Sequence, residues 1–333
     1  MSNRFEAQVA AWYAANSRDL PWRRPDAGAW PIFVSEFMLQ QTPVARVLPA
    51  YAAWLHRWPT ATALAGATPA DAVRQWGRLG YPRRALRLHE SARIIADRHG
   101  GEVPESVPEL LELPGVGSYT AAAVASFAFG QRHAVLDTNV RRVLARLVTG
   151  QEFPASSASV AERAFAQALL PPAANRRAAT WAVGLMELGA LVCTAARPSC
   201  GECPVAARCA WRTNGSPAGL PPRRAKPYSG SDRECRGRLL AVLRGASWPV
   251  PSTDLDAVWP DRDQRDRVLA TLTADGLVVR LAGGLVGLPG EHGHRPALAH
   301  EHGGLPGEHG GAARVPGAPG TLAATAGANS KPG

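Results

Sequence analysis

Leu113-Pro114-Gly115-Val116-Gly117 stands between two stretches with helical spacing, residues 107–111 and 119–127. Its two glycines permit positive φ, so the turn between the helices is expected to be tight, with backbone N–H groups pointing outward. They point from the N-terminus of the second helix, where unpaired amides and the helix dipole favour a phosphate. Outward from this hairpin, residues 136–147 (LDTNVRRVLARL) set Val140, Val143, Leu144 and Leu147 three or four apart. That spacing predicts a helix over 138–147, with Asp137 placed to cap it.

The same reading extends across residues 1–213. Apolar residues recur at helical spacing, and Pro and Gly punctuate the gaps at Leu20-Pro21, Trp58-Pro59, Gly100-Gly101 and Pro171-Pro172. Runs of period two are nearly absent, so the fold class is mainly α. Residues 214–231 are rich in Pro, Gly, Ser and basic side chains and read as a linker, with Arg223, Arg224 and Lys226 within reach of phosphate. Residues 232–289 read as a small winged-helix-like unit: helices near 233–244, 252–258 and 262–275, then two short strands around Gly283-Gly284. Residues 290–333, dominated by Gly, His, Pro and Ala, bury too little apolar surface to order and are expected to form a disordered tail.

Lys and Arg outnumber Asp and Glu by 37 to 27, which favours a polyanionic partner. No apolar run is long enough to span a membrane, and the N-terminus reads as a helix of the mature chain instead of a signal. A cytoplasmic, nucleoid-associated monomer is expected. In that compartment clustered cysteines indicate metal chemistry before disulfides. Cys193, Cys200, Cys203 and Cys209 follow the spacing C-x6-C-x2-C-x5-C. Four thiolates suit a tetrahedral zinc or a cubane, and the long steps let the chain wrap something larger than one ion, which favours a [4Fe-4S] cluster. Cys235 stands apart and reads as an ordinary small side chain.

Taken together, the hairpin, residues 136–147 and the cysteine spacing resemble the helix-hairpin-helix DNA glycosylases related to endonuclease III, over roughly residues 4–212. Within that superfamily, residues 35–44 (SEFMLQQTPV) are similar to the signature of MutY-type adenine glycosylases. The resemblance implies two lobes, a six-helix lobe at about 26–133 and an iron–sulfur lobe at about 1–25 and 134–213. It also implies a partner: double-stranded DNA holding adenine opposite 8-oxoguanine or guanine. Bifunctional relatives carry a Schiff-base lysine two residues past the second hairpin glycine. Tyr119 stands there and cannot form an imine, so a glycosylase without efficient lyase activity is implied.

A purine glycosylase extrudes the nucleotide, protonates the base and stabilises a cationic sugar. Glu36, flanked by Phe33, Val34, Phe37, Met38 and Leu39, is the expected acid, because burial raises a carboxyl pKa. Asp137 is the expected ionised carboxylate beside the sugar. By resemblance, Asn139 and Tyr119 assist that step, while Trp22, Arg23, Leu39 and Glu187 form the adenine pocket. Gln40, Gln41, Thr42 and Tyr81 would enter the duplex, and Gly115 and Gly117 would meet its backbone. The second aromatic usual after Tyr81 is Pro82 here, and residues 214–333 show no Nudix-like domain. Arg83, Arg84, Arg87, Arg141, Arg142 and Arg146 are further phosphate candidates. Two other readings compete: an endonuclease III-like lesion glycosylase/lyase, and a non-enzymatic iron–sulfur DNA-binding protein.

Overall fold

Seven side chains, Thr60, Thr68, Ser106, Asp137, Ser159, Ser231 and Asp261, each start a helix by accepting a backbone N–H three residues on. Such caps satisfy amides that a helix leaves unpaired. The computed structural model describes residues 5–172, 176–219 and 228–292. Its helices are α1 Glu6–Asn16, α2 Ala29–Leu39, α3 Val44–Arg57, α4 Ala61–Ala65, α5 Pro69–Trp76, α6 Arg83–Arg98 and α7 Val107–Glu112. They continue as α8 Ser118–Phe127, α9 Thr138–Leu144, α10 Val160–Ala168, α11 Arg177–Leu191, α12 Ala210–Thr213, α13 Asp232–Gly245 and α14 Arg262–Ala274. No strand lies among the described residues before Val250.

Two separate apolar cores organise these helices. The first gathers Phe33, Phe37, Trp54, Leu64, Trp76, Leu88, Ile95 and Leu110. Helix α2 runs through its middle, apolar on nearly every face, as a fully enclosed helix must be. Trp54 meets Trp58 and Trp76 edge-on, at 4.7 and 5.6 Å between ring centres. The second core joins Phe5 and Val9 to Val140, Val143, Leu144, Leu147, Trp181, Leu185 and Leu188. A small seam of Ala123, Val135 and Ala182, flanked by Tyr119 and Phe127, adjoins them.

The hairpin between α7 and α8 uses its two glycines differently. Gly115 has φ +83°, and a Cβ there would stand 2.8 Å from the Arg87 Cβ and 3.0 Å from the Phe37 ring. Ser91 Oγ donates to the Pro114 carbonyl at 2.8 Å, pinning the turn to α6. Gly117, by contrast, is extended (φ −100°, ψ 179°), so the expected need for positive φ holds at Gly115 alone. A Cβ at Gly117 would meet nothing within 4 Å.

Helix α9 stops short of the expected residue 147 and widens into a π turn over Ala145–Thr149. The Arg146 side chain turns inward there and donates to the carbonyls of Glu152, Thr194 and Ala195.

After residue 227 come α13, a 3-10 turn at Ser252–Leu255 where a longer helix was expected, and α14. Three short strands, β1 Val250–Pro251, β2 Val279–Leu281 and β3 Leu285–Gly287, form an antiparallel sheet in the order β1-β3-β2. Val286 pairs with both Val250 and Arg280. Strand β1 is too short and too proline-rich to show a period-two signal. Leu239, Leu243, Val268, Leu272 and Val286 join the first core directly. Arg74 donates to the Ala246 carbonyl and pairs with Glu291, and Arg83 pairs with Asp275 at 3.2 Å. Most of the expected tail, from residue 293, and residues 220–227 of the linker with its three basic side chains, lie outside the described residues. No described helix is long and apolar enough to cross a membrane.

Candidate active site and cysteine loop

An open cleft of about 1420 Å³ is walled by residues of both cores. The side of the first core supplies Trp22, Arg23, Glu36, Leu39, Gln40, Gln41 and Thr42, the seam supplies Tyr119, and the segment around α9 supplies Asp137 and Asn139.

Glu36 lies on α2 and is 3% exposed. Burial is the main cause that pushes its carboxyl up, to about 7, with the Asp137 charge adding to the effect; the Tyr119 hydroxyl and Arg23 oppose it. Its Oε2 is buried without a hydrogen-bond partner. Burial, followed by the nearby Glu36 and Asp137 charges, holds the Tyr119 hydroxyl well above its usual range, so it stays protonated as a donor.

Asp137 caps α9, accepting from Val140 N at 2.6 Å and from Asn139 Nδ2 at 3.0 Å. Burial raises its carboxyl, and these donors counter that rise. Asn139 Oδ1 accepts from Arg142 Nη2 at 2.7 Å, and Arg142 also donates to the carbonyls of Gly189 and Cys193. Helix α11 crosses close behind: a Cβ on Gly189 would stand 2.7 Å from the Asn139 Cβ.

Several sequence-based expectations need correction. Glu187 does not line the cleft, and its two oxygens are taken by Arg18 (2.6 and 2.8 Å) and Arg23 (2.6 Å). Burial alone would raise its pKa, but the two guanidiniums hold it at about 2. It therefore cannot accept from a base and instead fixes two cleft-lining arginines. Arg18 carries no sequence signal, because its partner lies 169 residues away and no local pattern marks it. Arg84 and Arg146 are buried, Arg141 pairs with Glu162, and Arg142 serves carbonyls and Asn139, so none of the four presents itself to phosphate. Trp22 is 7% exposed and meets Tyr51 edge-on at 5.0 Å, so it is a core residue that also walls the cleft.

At the cleft's mouth, Gln40 donates to Thr120 Oγ1 at 3.3 Å. Gln41 (φ +56°) and Tyr81 (φ +47°) both hold left-handed backbone without being glycine. Such strain persists only where surrounding structure enforces it. Tyr81 is 52% exposed, outside the cleft.

The four cysteines line a second, small cavity with Arg146, Val192, Pro198 and Trp211. Among the described residues no three His, Cys, Asp or Glu side chains close on a single-ion position. Burial pushes the Cys203 thiol up to about 11, and its three neighbouring cysteines push the same way. Four thiolates in one cavity repel unless a cation lies among them, so this donor set fits a cationic cluster. Arg146 Nη1 lies 3.4 Å from Cys193 Sγ, and the Arg146 guanidinium sits 4.9 Å from the Trp211 ring centre.

Residues 34–169 match the HhH-GPD superfamily of base excision DNA repair proteins. The adenine DNA glycosylase of Mycobacterium tuberculosis is 53% identical over 288 residues, covering 86% of this chain and 94% of that one. The chain belongs to the adenine DNA glycosylase family. The Mycolicibacterium smegmatis adenine DNA glycosylase matches at 53% over 286 residues, covering 85% of this chain and 96% of that protein. Among solved structures, a thermostable thymine-DNA glycosylase superposes with a TM-score of 0.57 at 27% identity, covering 63% of this chain and 95% of that one. The protein is thus a mainly helical DNA glycosylase, which removes the non-enzymatic alternative.

Proposed function

We propose that this glycosylase excises adenine opposite 8-oxoguanine or guanine in double-stranded DNA, as a cytoplasmic monomer and without a lyase step. The observation that carries this reading is the buried Glu36 carboxyl, near 7, whose Oε2 has no partner within the protein. An acid in that state can give its proton to adenine N7 at neutral pH. The C1′–N9 bond then breaks with its electron pair leaving on adenine, and positive charge develops on the sugar. Asp137, held by Val140 and Asn139, faces that charge as a carboxylate. A water oxygen adds to C1′, and its proton returns to Glu36. Trp22, Arg23 and Leu39 would enclose the base, with Glu187 acting through Arg18 and Arg23.

On this reading Gln40, Gln41, Thr42 and Tyr81 enter the opened duplex, and the first amides of α8 meet a phosphate. The bare approach at Gly117 supports that contact. Cys193, Cys200, Cys203 and Cys209 would hold a [4Fe-4S] cluster, which when bound ties the loop from Cys193 to Cys209 into one body. Tyr119, as a proton-bearing hydroxyl, has no nucleophile to offer C1′. The test is single-turnover cleavage of labelled duplexes with A opposite 8-oxoguanine, G or T, with and without alkali. Breaks that need alkali and are fastest opposite 8-oxoguanine are expected. Breaks without alkali would indicate a lyase, and none at all would overturn the substrate assignment.

A further inference from the structure

Arg84 sits in the first turn of α6 and is 8% exposed. Its Nη1 donates to the carbonyls of Phe37 and Met38 at 2.7 and 3.0 Å, in the last turn of α2. Its Nη2 donates to Thr42 Oγ1 at 2.8 Å and to the Gly80 carbonyl at 3.1 Å. The guanidinium lies 5.1 Å from the Trp76 ring centre and 5.5 Å from that of Tyr81. Thr42 Oγ1 also reaches the Leu79 carbonyl at 3.4 Å. No carboxylate pairs with Arg84 among the described residues.

This buried cation is therefore held by neutral groups, and its hydrogen-bond acceptors come from two turns. One is the end of α2 through Thr42, where Gln41 is strained; the other is the loop ending at Tyr81, also strained. If either turn moves away, charge-assisted bonds to a buried group are lost, a cost that opposes release of that turn's strain. One fork with four acceptors makes the two turns move as one. Phe37, whose carbonyl is clamped, directly follows Glu36 on α2, so the clamp also bears on the acid's placement.

We infer that Arg84 is a positioning residue that couples the Gln41 turn to the Tyr81 turn, so that both engage the base opposite adenine as a single unit and report its identity to Glu36. This rests on the proposed excision reaction. A lysine cannot replace the fork, because one ammonium does not span four acceptors in two turns.

The test is a double-mutant cycle of Gln41→Ala and Tyr81→Ala, made in the full-length holoprotein with Arg84 and again with Arg84→Lys. It is read both as single-turnover rate opposite 8-oxoguanine and as affinity for a duplex carrying a non-hydrolysable 2′-fluoro adenosine. With Arg84 present the two substitutions should be non-additive by about fivefold or more. With Arg84→Lys they should become additive, and the rate ratio between 8-oxoguanine and guanine opposite should collapse towards one. Thr42→Val, which removes one acceptor and keeps shape, should lower the coupling part-way if Arg84→Lys folds poorly. Additivity with Arg84 present, or coupling unchanged by both Arg84→Lys and Thr42→Val, would overturn the inference. Because affinity is read without excision, a protein that binds these duplexes but releases no adenine would refute the proposed reaction while still testing the clamp.

Discussion

Glu36 holds its proton up to about pH 7 because burial strips water from its charge, and the Tyr119 hydroxyl and Arg23 offset this only in part. With its pKa moved from 4.5 to about 7, the folded state gains least from ionisation. Stability that is fully present below pH 4.5 is lost as pH rises to about 7. Glu36→Gln removes that loss. It should abolish base release, retain duplex binding, and raise stability near pH 8 by about 3 kcal/mol. Urea melts at pH 8 and at pH 4.5 check this, with the gain vanishing at the lower value. The Tyr119 hydroxyl lowers the Glu36 pKa, so Tyr119→Phe should move the alkaline fall in excision rate to higher pH. A pH–rate profile that stays in place would show that Tyr119 does not touch the acid.

At the scale of elements, the hairpin glycines are open to separate tests. Gly115→Ala forces a side chain into positive φ and against Arg87, and should cost about 1–3 kcal/mol in a denaturant titration. Gly117→Ala meets open space, so the denaturation midpoint should hold while duplex affinity falls. Much of this level is legible in the chain. Glycines flanked by helical spacing announce the hairpin, and Asp137 before Thr138–Leu144 announces a cap. The role of Gly117 is not legible, because its backbone is ordinary and only the space around it is special. Nor is the Arg18–Glu187–Arg23 clamp, since it joins α11 to a loop at the far end of the chain. The π turn after α9 escapes for a similar reason. It goes with Arg146 reaching carbonyls nearly fifty residues on, while its spacing matches a plain helix.

Across the whole molecule, the cysteine loop and the start of α9 share one guanidinium. Arg142 joins Asn139 to the Cys193 carbonyl. With the proposed cluster bound by the four cysteines, Cys203→Ser should lower iron content and Tm together, and should slow base release more than it weakens binding to undamaged duplex. Absorbance, thermal melts and single-turnover assays on the same preparation check this. After residue 227, α13, α14, β2 and β3 are legible, while β1 and the 3-10 turn after it are not, nor is the continuity of these elements with the first core. Leu239, Leu243 and Leu272 carry the same apolar spacing whether they close a small unit of their own or extend another's core.

Glu36 and Asp137 are borne by helices that answer to different cores. Helix α2 belongs to the first and α9 to the second, and Ala123 and Ala182 of the seam stand on α8 and α11, which touch each other. The separation of the two carboxyls therefore depends on how closely those helices approach. A lineage could retune its repair rate by exchanging one methyl group at Ala123 or Ala182, leaving every chemically active side chain as it stands.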